Sequence, residues 1–232
     1  EVIGGVRHVR HEADAGVVAD EESILTECTQ ARVPSKWLSW HYRSQDEALI
    51  AFSNHQYYES RLSSFPAPLR DSAASAPGAL AATKPDYGLS LVRVDGRFER
   101  SGGRGVLRTN RVEAQTIVDE VIRRFAAAGE AAPSIGIITF NVQQRDLIDN
   151  MLRDASDERI GRALDERDGL FVKNLESVQG DERDTILFSV AFSKNDRGML
   201  PLNFGPLSRA GGERRLNVAV TRARRQVVLY AS

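Results

Sequence analysis

The sequence predicts an α/β domain with a mostly parallel central sheet, on three observations. Apolar runs of strand length alternate with amphipathic helical stretches from residue 89 to residue 232, the alternation produced when helices cross between parallel strands. The run SIGIITF (134–140) is apolar almost throughout, as a strand covered on both faces must be. With 41% hydrophobic and 27% charged residues, the 232-residue chain is large enough to close a sizeable core.

Net charge is −1, so any surface meant for nucleic acid must be a local basic patch. No apolar run approaches the roughly 20 residues of a membrane-spanning helix, and no membrane association is expected. Cys28 is the single cysteine. That rules out an internal disulfide and, with no charged-then-apolar leader at the start, points to a reducing, cytoplasmic setting.

Residues 1–21 mix charges and glycines without a period and read as a linker, leaving 22–232 as the domain. ESILTECTQA (22–31) reads as a short helix with Ile24, Leu25 and Cys28 on one face, and KWLSWHY (36–42) alternates like a strand. SQDEALIAFSNHQYY (44–58) reads as a helix opened by a Ser44–Glu47 capping box, with Leu49, Ile50 and Phe52 facing inward. Segments 63–88 and 97–108 carry few large apolar residues and are expected to be poorly ordered loops, on either side of a strand at 89–96. Asn110 then caps a helix that ends at Gly129, with Val112, Ile117, Val121, Ile122 and Phe125 on its buried side. After the 134–140 strand come helices at 143–155 and 158–167 and strands at 170–175 and 184–192. A helix at 211–224, with Leu216, Ala219, Val220 and Ala223 inward, leads to a closing strand at 226–232.

Three polar clusters interrupt this pattern. Arg43 sits in the turn between a strand and a helix, where loops at the carboxyl ends of parallel strands line a ligand crevice. Its planar charged fork suits a phosphate, although taken alone a surface pair with Asp46 or Glu47 is the favoured account. Ser177, Gln179, Gly180, Glu182 and Asp184 crowd a turn before a buried strand, and taken alone this is ordinary turn chemistry. The stretch 207–225 holds six arginines against one acid, Glu213. The helix dipole explains a basic residue at a carboxyl terminus but not this density.

These segments, in this order, resemble the motor motifs of superfamily 1 DNA/RNA helicases, especially the RNA-surveillance branch and large bacterial AAA-type or DUF4011-containing helicases. HYRSQDEALIAFSN resembles the "QYR" segment, IGIITFNVQQRDLI the segment that follows it, ESVQGDERDTILFS motif V, and RRLNVAVTRARRQVVL motif VI. The resemblance covers residues 22–232 and implies a RecA-like three-layer α/β/α sandwich, the second motor domain of such a helicase. It implies that Arg43 and Arg222 meet the γ-phosphate of ATP as catalytic arginine fingers. Gly180 and Glu182 join them in the nucleotide site, with Glu182 approaching the ribose or coupling nucleotide to nucleic acid. Thr139, Gln144, Ser177 and Gln179 would contact a single-stranded DNA or RNA backbone. ATP and Mg²⁺ would be held mainly by the N-terminal RecA-like domain of the same protein, and no metal ligand is expected in this chain. Phe140 and Asn141 stand where the family has Pro-Tyr, His41 where Gln often precedes Tyr-Arg, and Asp181 where a basic residue is common.

No G-x-x-x-x-G-K-[ST] loop occurs in the chain, so by itself it is expected to be inactive as an ATPase. GVVADEES (16–23) ends in Asp-Glu like a Walker B strand, but its short apolar run reads more simply as an acidic linker. Two rival readings remain. A nucleic-acid-binding module that has lost motor function would not need both arginines, and an α/β transferase would need a glycine-rich loop after its first strand.

Overall fold

The computed structural model describes residues 24–68, 86–100, 107–194, 198–200 and 203–232. The expected linker 1–21, the Asp-Glu segment 16–23 and much of both expected loops (69–85, 101–106) lie outside the described residues. The chain divides into two units, 1–38 and 39–232. In the first, helix α1 (Ile24–Gln30) leaves Ile24 and Leu25 largely exposed, so its expected apolar face is not packed.

The second unit is built on five parallel strands: β3 (Gly88–Arg93), β4 (Ile135–Thr139), β5 (Phe171–Asn174), β6 (Arg183–Ser189) and β7 (Ala223–Ala231), in the order β3-β7-β6-β4-β5. The inner strands β4, β6 and β7 bury both faces because their residues alternate between two cores, whereas edge strand β3 leaves Leu89 and Leu91 exposed. Ile135 and Ile137 of β4, Leu187 of β6 and Val228 and Tyr230 of β7 face helices α3 (Arg111–Ala127), α4 (Val142–Arg153) and α5 (Glu158–Asp165). Ile138, Ile186, Phe188 and Val227 face the opposite layer of α2 (Ala48–Tyr57) and α6 (Gly212–Val220). The result is the three-layer α/β/α sandwich expected. Gly136 is required on β4, since a β-carbon there would collide with the ring of Phe171 on neighbouring β5.

Helices α3, α4 and α5 begin where short polar side chains satisfy their first amides. Asn110 accepts from Glu113 N at 3.1 Å, Asn141 from Gln144 N at 2.8 Å and Asp157 from Arg159 N at 3.0 Å. Gly129, at φ +67°, ends the α3 region as expected. The buried side of α3 is Ala114, Ile117, Val118, Val121 and Phe125, while Val112 is 51% and Ile122 37% exposed. Aliphatic identity had stood in for angular position there, and Ala114 and Val118 are the residues on the 3.6-residue period.

Three further expectations are corrected. The 36–42 strand shrinks to β1 (Trp40–His41), paired in parallel only with β2 (Ser63–Ser64), outside the main sheet. Trp37, Leu38, Trp40 and Tyr42 are all exposed, so the alternating pattern has no core to face. Helix α2 starts at Ala48. Glu47 makes no side-chain cap bond, Asp46 Oδ1 receives Ala48 N at 2.8 Å instead, and Phe52 lies 47% exposed against Tyr57. Finally, α6 stops at Val220 and β7 already begins at Ala223. Thr221 Oγ1 donates back to Asn217 O at 3.0 Å and Arg222 Nε to Val218 O at 2.7 Å, closing the last turn.

Candidate functional site

Because all five strands run the same way, the sheet has an amino edge and a carboxyl edge. Glu182 directly precedes β6 and Arg222 directly precedes β7, so both lie at the amino edge. Arg43 reaches the same place from the turn after β1. The crevice expected at the carboxyl ends of the strands is therefore not where the arginines gather. Arg43 follows a strand outside the main sheet, and its turn is stitched onto the start of β7: Ser44 Oγ donates to Ala223 O at 3.2 Å and Gln45 N to Arg224 O at 2.7 Å. Arg183 N in turn donates to Arg222 O at 3.2 Å. Ser44, expected as a helix cap, is spent on this junction.

Arg43 Nε donates to Glu182 Oε2 at 2.8 Å and Nη1 reaches Thr221 O at 3.4 Å, leaving Nη2 without a partner among the described residues. Arg222 forms no ion pair among the described residues. It is half-buried, and burial first, then the charge of Arg43, pulls its pKa down, while Glu182 and Asp181 oppose the shift. Arg43 and Arg222 thus lie close enough to feel each other's charge, and the Glu182 carboxylate nearby is shared between Arg43 and Arg224, whose Nη1 lies 3.8 Å from Oε1; guanidinium groups so placed suit an anion. Arg224 Nε lies 2.9 Å from Asp184 Oδ1, an ion pair without hydrogen-bond alignment, and Arg225 Nη1 lies 3.3 Å from Asp184 Oδ2. Arg222 and Arg224 lie beyond α6, although the helix expected at 211–224 would have carried them.

His41 underlies this turn. Its Nε2 lies 2.9 Å from Ser44 Oγ and 3.3 Å from Ser44 N, within hydrogen-bond distance of both. Burial, then Arg43 and Arg222, hold its pKa below the usual histidine value.

The remaining expected site residues separate. Gly180, at φ +93°, is exposed, as are Ser177 and Gln179. Ser177 Oγ donates to Asn174 Oδ1 at 2.6 Å at the carboxyl end of β5, and Lys173 Nζ bonds Asp181 Oδ2 at 2.6 Å. The 175–182 connection therefore links the two edges. Thr139 and Gln144 are fully buried. Thr139 Oγ1 donates to Asn141 O at 2.8 Å, and the Gln144 amide holds Asn110 N, Asn110 O and Ser189 Oγ at 2.8, 3.1 and 3.1 Å.

Beside Gln144, Glu113 is wholly buried and receives Ser189 Oγ at 2.6 Å and Ala191 N at 2.8 Å. Burial outweighs these bonds and pushes its pKa up to about 7. Sequence reading passed over Glu113 because an acid in a helix's first turn is unremarkable there. No group of three or more His, Cys, Asp or Glu side chains is placed to hold a metal among the described residues. No helix among them is long and apolar enough to cross a membrane.

The molecule is thus a parallel three-layer α/β domain with a cationic site at the amino edge of its sheet. Residues 21–232 match the AAA_12 family, described as an AAA domain, and the chain belongs to that family. It is 32% identical over 201 residues to "Uncharacterized ATP-dependent helicase MG140" of Mycoplasma genitalium, covering 83% of this chain and 16% of that protein. It is 30% identical over 136 residues to "Regulator of nonsense transcripts 1 homolog" of Arabidopsis thaliana, covering 58% of this chain and 10% of that protein. The chain therefore spans about a sixth or less of the length of these relatives. The C-terminal domain of a possible DNA helicase from Lactobacillus plantarum overlaps 82% of this chain and 86% of that one at 12% identity, with a TM-score of 0.40. That overlap is too loose to carry weight.

Proposed function

We propose that this chain is the second motor domain of an ATP-dependent superfamily 1 helicase acting on single-stranded DNA or RNA. The observation that carries the reading is the meeting of Arg43 and Arg222, 179 positions apart, at one edge around Thr221 and Glu182. The ordered motifs and the helicase names of the relatives support it. The donor set is cationic and fits phosphate oxygens. Its carboxylate, Glu182, is engaged by Arg43 and Arg224, so Mg²⁺ and the β-phosphate would be held by the N-terminal RecA-like domain. ATP supplies the phosphoryl group to be transferred. Arg222, with Nη1 uncommitted, and Arg43, with Nη2 uncommitted, would donate to the γ-phosphate oxygens as charge builds there. Glu182 holds the Arg43 fork in plane, and Gly180 allows the neighbouring backbone to approach closely. Ser177 and Gln179, exposed on the connection between the edges, are suited to pass a change at the nucleotide to a bound strand.

Steady-state ATPase assays on the full-length parent protein test this. Arg222→Ala is expected to lower strand-stimulated kcat by a factor on the order of 10³, and the 232-residue chain alone to turn over no ATP. A folded Arg222→Ala protein working at the parent rate overturns the assignment, as does magnesium-dependent turnover by the purified chain alone.

A further inference from the structure

Arg183 opens β6 beside the arginine site, yet it has none of the roles assigned above. It is only 7% exposed and forms no ion pair among the described residues. A charge taken out of water without a carboxylate partner is costly, so the partners it does have decide what it is for. Nε donates to Gly169 O at 2.7 Å and Nη1 to Glu182 O at 2.6 Å, while the guanidinium lies 5.0 Å from the centre of the Phe171 ring. A hydrophobic side chain of similar volume often serves stability as well as a buried ion, which leaves the two bonds of the fork to be explained.

Those bonds meet at the amino edge. The main-chain N–H of Arg183 donates to Arg222 O at 3.2 Å, so one residue holds the backbones of both Glu182 and Arg222. Glu182 in turn holds Arg43 at 2.8 Å. The far anchor is firm, because Gly169 is packed so closely against α5 that a β-carbon would collide with Ala163 O. Lys173 Nζ, 5.5 Å from the Phe171 ring, bonds Asp181 Oδ2 at 2.6 Å. The two residues before Arg183 are thus tied to β5 by two cations that share one aromatic ring. Directly after Arg183 the pairing with β7 slips. Arg183 faces Ala223 and Thr185 faces Gln226, so Asp184 alone meets both Arg224 and Arg225. Such a bulge bends the strand that carries the extra residue and re-aims its side chains, and β7 carries it just after Arg222.

We infer that Arg183 is a positioning residue of the phosphate site: it touches no phosphate itself and fixes the backbone from which Glu182 and Arg222 project. Its effect on catalysis rests on the motor function proposed above, whereas the positioning rests on the bonds just described. The planar fork reaches Gly169 O and Glu182 O together, which a single ammonium group cannot do.

The test uses the full-length parent protein, with strand-stimulated ATPase assays and phenylglyoxal labelling of arginines mapped by mass spectrometry. Arg183→Met is expected to lower kcat on the order of tenfold, within the loss that a small displacement of a reacting group causes. KM for ATP and strand affinity without nucleotide should stay near the parent's. Half-buried Arg222 should label several-fold faster, because its backbone is no longer held. Arg183→Lys keeps the charge and one of the two bonds. It should melt with the parent and fall between the parent and Arg183→Met in both readouts, and it carries the test if the methionine variant does not fold. In an Arg222→Ala background the loss from Arg183→Met should be far smaller, since it acts largely through the residue already removed. Losses that multiply in full overturn the proposal. So does a fall in strand affinity equal to the fall in kcat, which would make Arg183 a brace for the whole domain. If Arg222→Ala keeps the parent rate while Arg183→Met still speeds labelling, the motor assignment fails and the positioning stands. If Arg222→Ala is impaired and Arg183→Met changes neither readout, the role of Arg183 alone is ruled out.

Discussion

The two edges of the sheet are both polar, but they are built on opposite principles. At the amino edge charge is kept near water: Arg43 and Glu182 expose 28% and 44% of their side chains, so ion pairs there are screened and readily exchanged for a ligand. At the carboxyl edge the groups are buried and mostly neutral, with Asn110, Gln144 and Ser189 tied to one another and to Glu113. Exchanging a partner there leaves a buried group unsatisfied. One edge holds partly exposed charged pairs, and the other holds a buried polar platform under α3 and α4.

The comparison is sharpest in a pair of assays on Arg222. Its loss should remove about 10³ in kcat while leaving strand affinity without nucleotide nearly unchanged, and Arg222→Lys should stay at least roughly tenfold below the parent because an ammonium lacks the planar fork. Equal losses in both assays would show that the edges are not separate sites.

The next largest effect is at Glu113. Burial pushes its folded pKa up to about 7, above the ordinary glutamate value of 4.5. Its contribution to stability is therefore fully present below pH 4.5 and is lost as pH rises through 7, a change on the order of 3 kcal/mol. Glu113→Gln should flatten the melting temperature between pH 5 and 7.5, and a parent-like slope in that variant would contradict the assignment. Asn110→Ala follows, at about 1–2 kcal/mol, since it removes a helix cap together with bonds to Ala191 O and Ser232 Oγ. Chemical denaturation measures that loss.

His41 at the amino edge has the opposite pH sign. Its folded pKa lies below the ordinary histidine value of 6.5, so its contribution is present above pH 6.5 and is lost as pH falls through the depressed value. His41→Gln should remove that acid limb while keeping an acceptor for Ser44 N, and an unchanged acid limb of stability would rule His41 out as its source. The smallest effect is expected at Arg225, which is exposed and paired with Asp184. Its replacement by alanine should leave ATP hydrolysis near the parent rate and stability within about 0.5 kcal/mol.

Periodicity and short motifs made the parallel sheet, the Asn110 cap and the Gly129 terminus legible before any coordinates. Those features are decided within a turn or two of chain, by side chains acting on their own backbone. The same local logic marked Arg43 as chemically suited to phosphate, while Glu182 and Arg222 took their expected roles from the resemblance to the helicase motifs. It failed wherever a distant partner decided the outcome. Ser44 left its capping role for Ala223 O, the 36–42 alternation found no sheet to join, and α6 stopped at Val220 because Thr221 and Arg222 turned back onto it. Thr139 and Gln144 carry the right groups to meet a strand, but only the packing of α3 against α4 shows that those groups are spent on Asn110, Asn141 and Ser189. Which end of the sheet carries the arginines was likewise undetermined in one dimension, because it depends on where the chain re-enters the sheet. Local chemistry is set by residue type and spacing; the assembly of Arg43 with Arg222 is set by tertiary folding, which alone brings residues so far apart in sequence into one field.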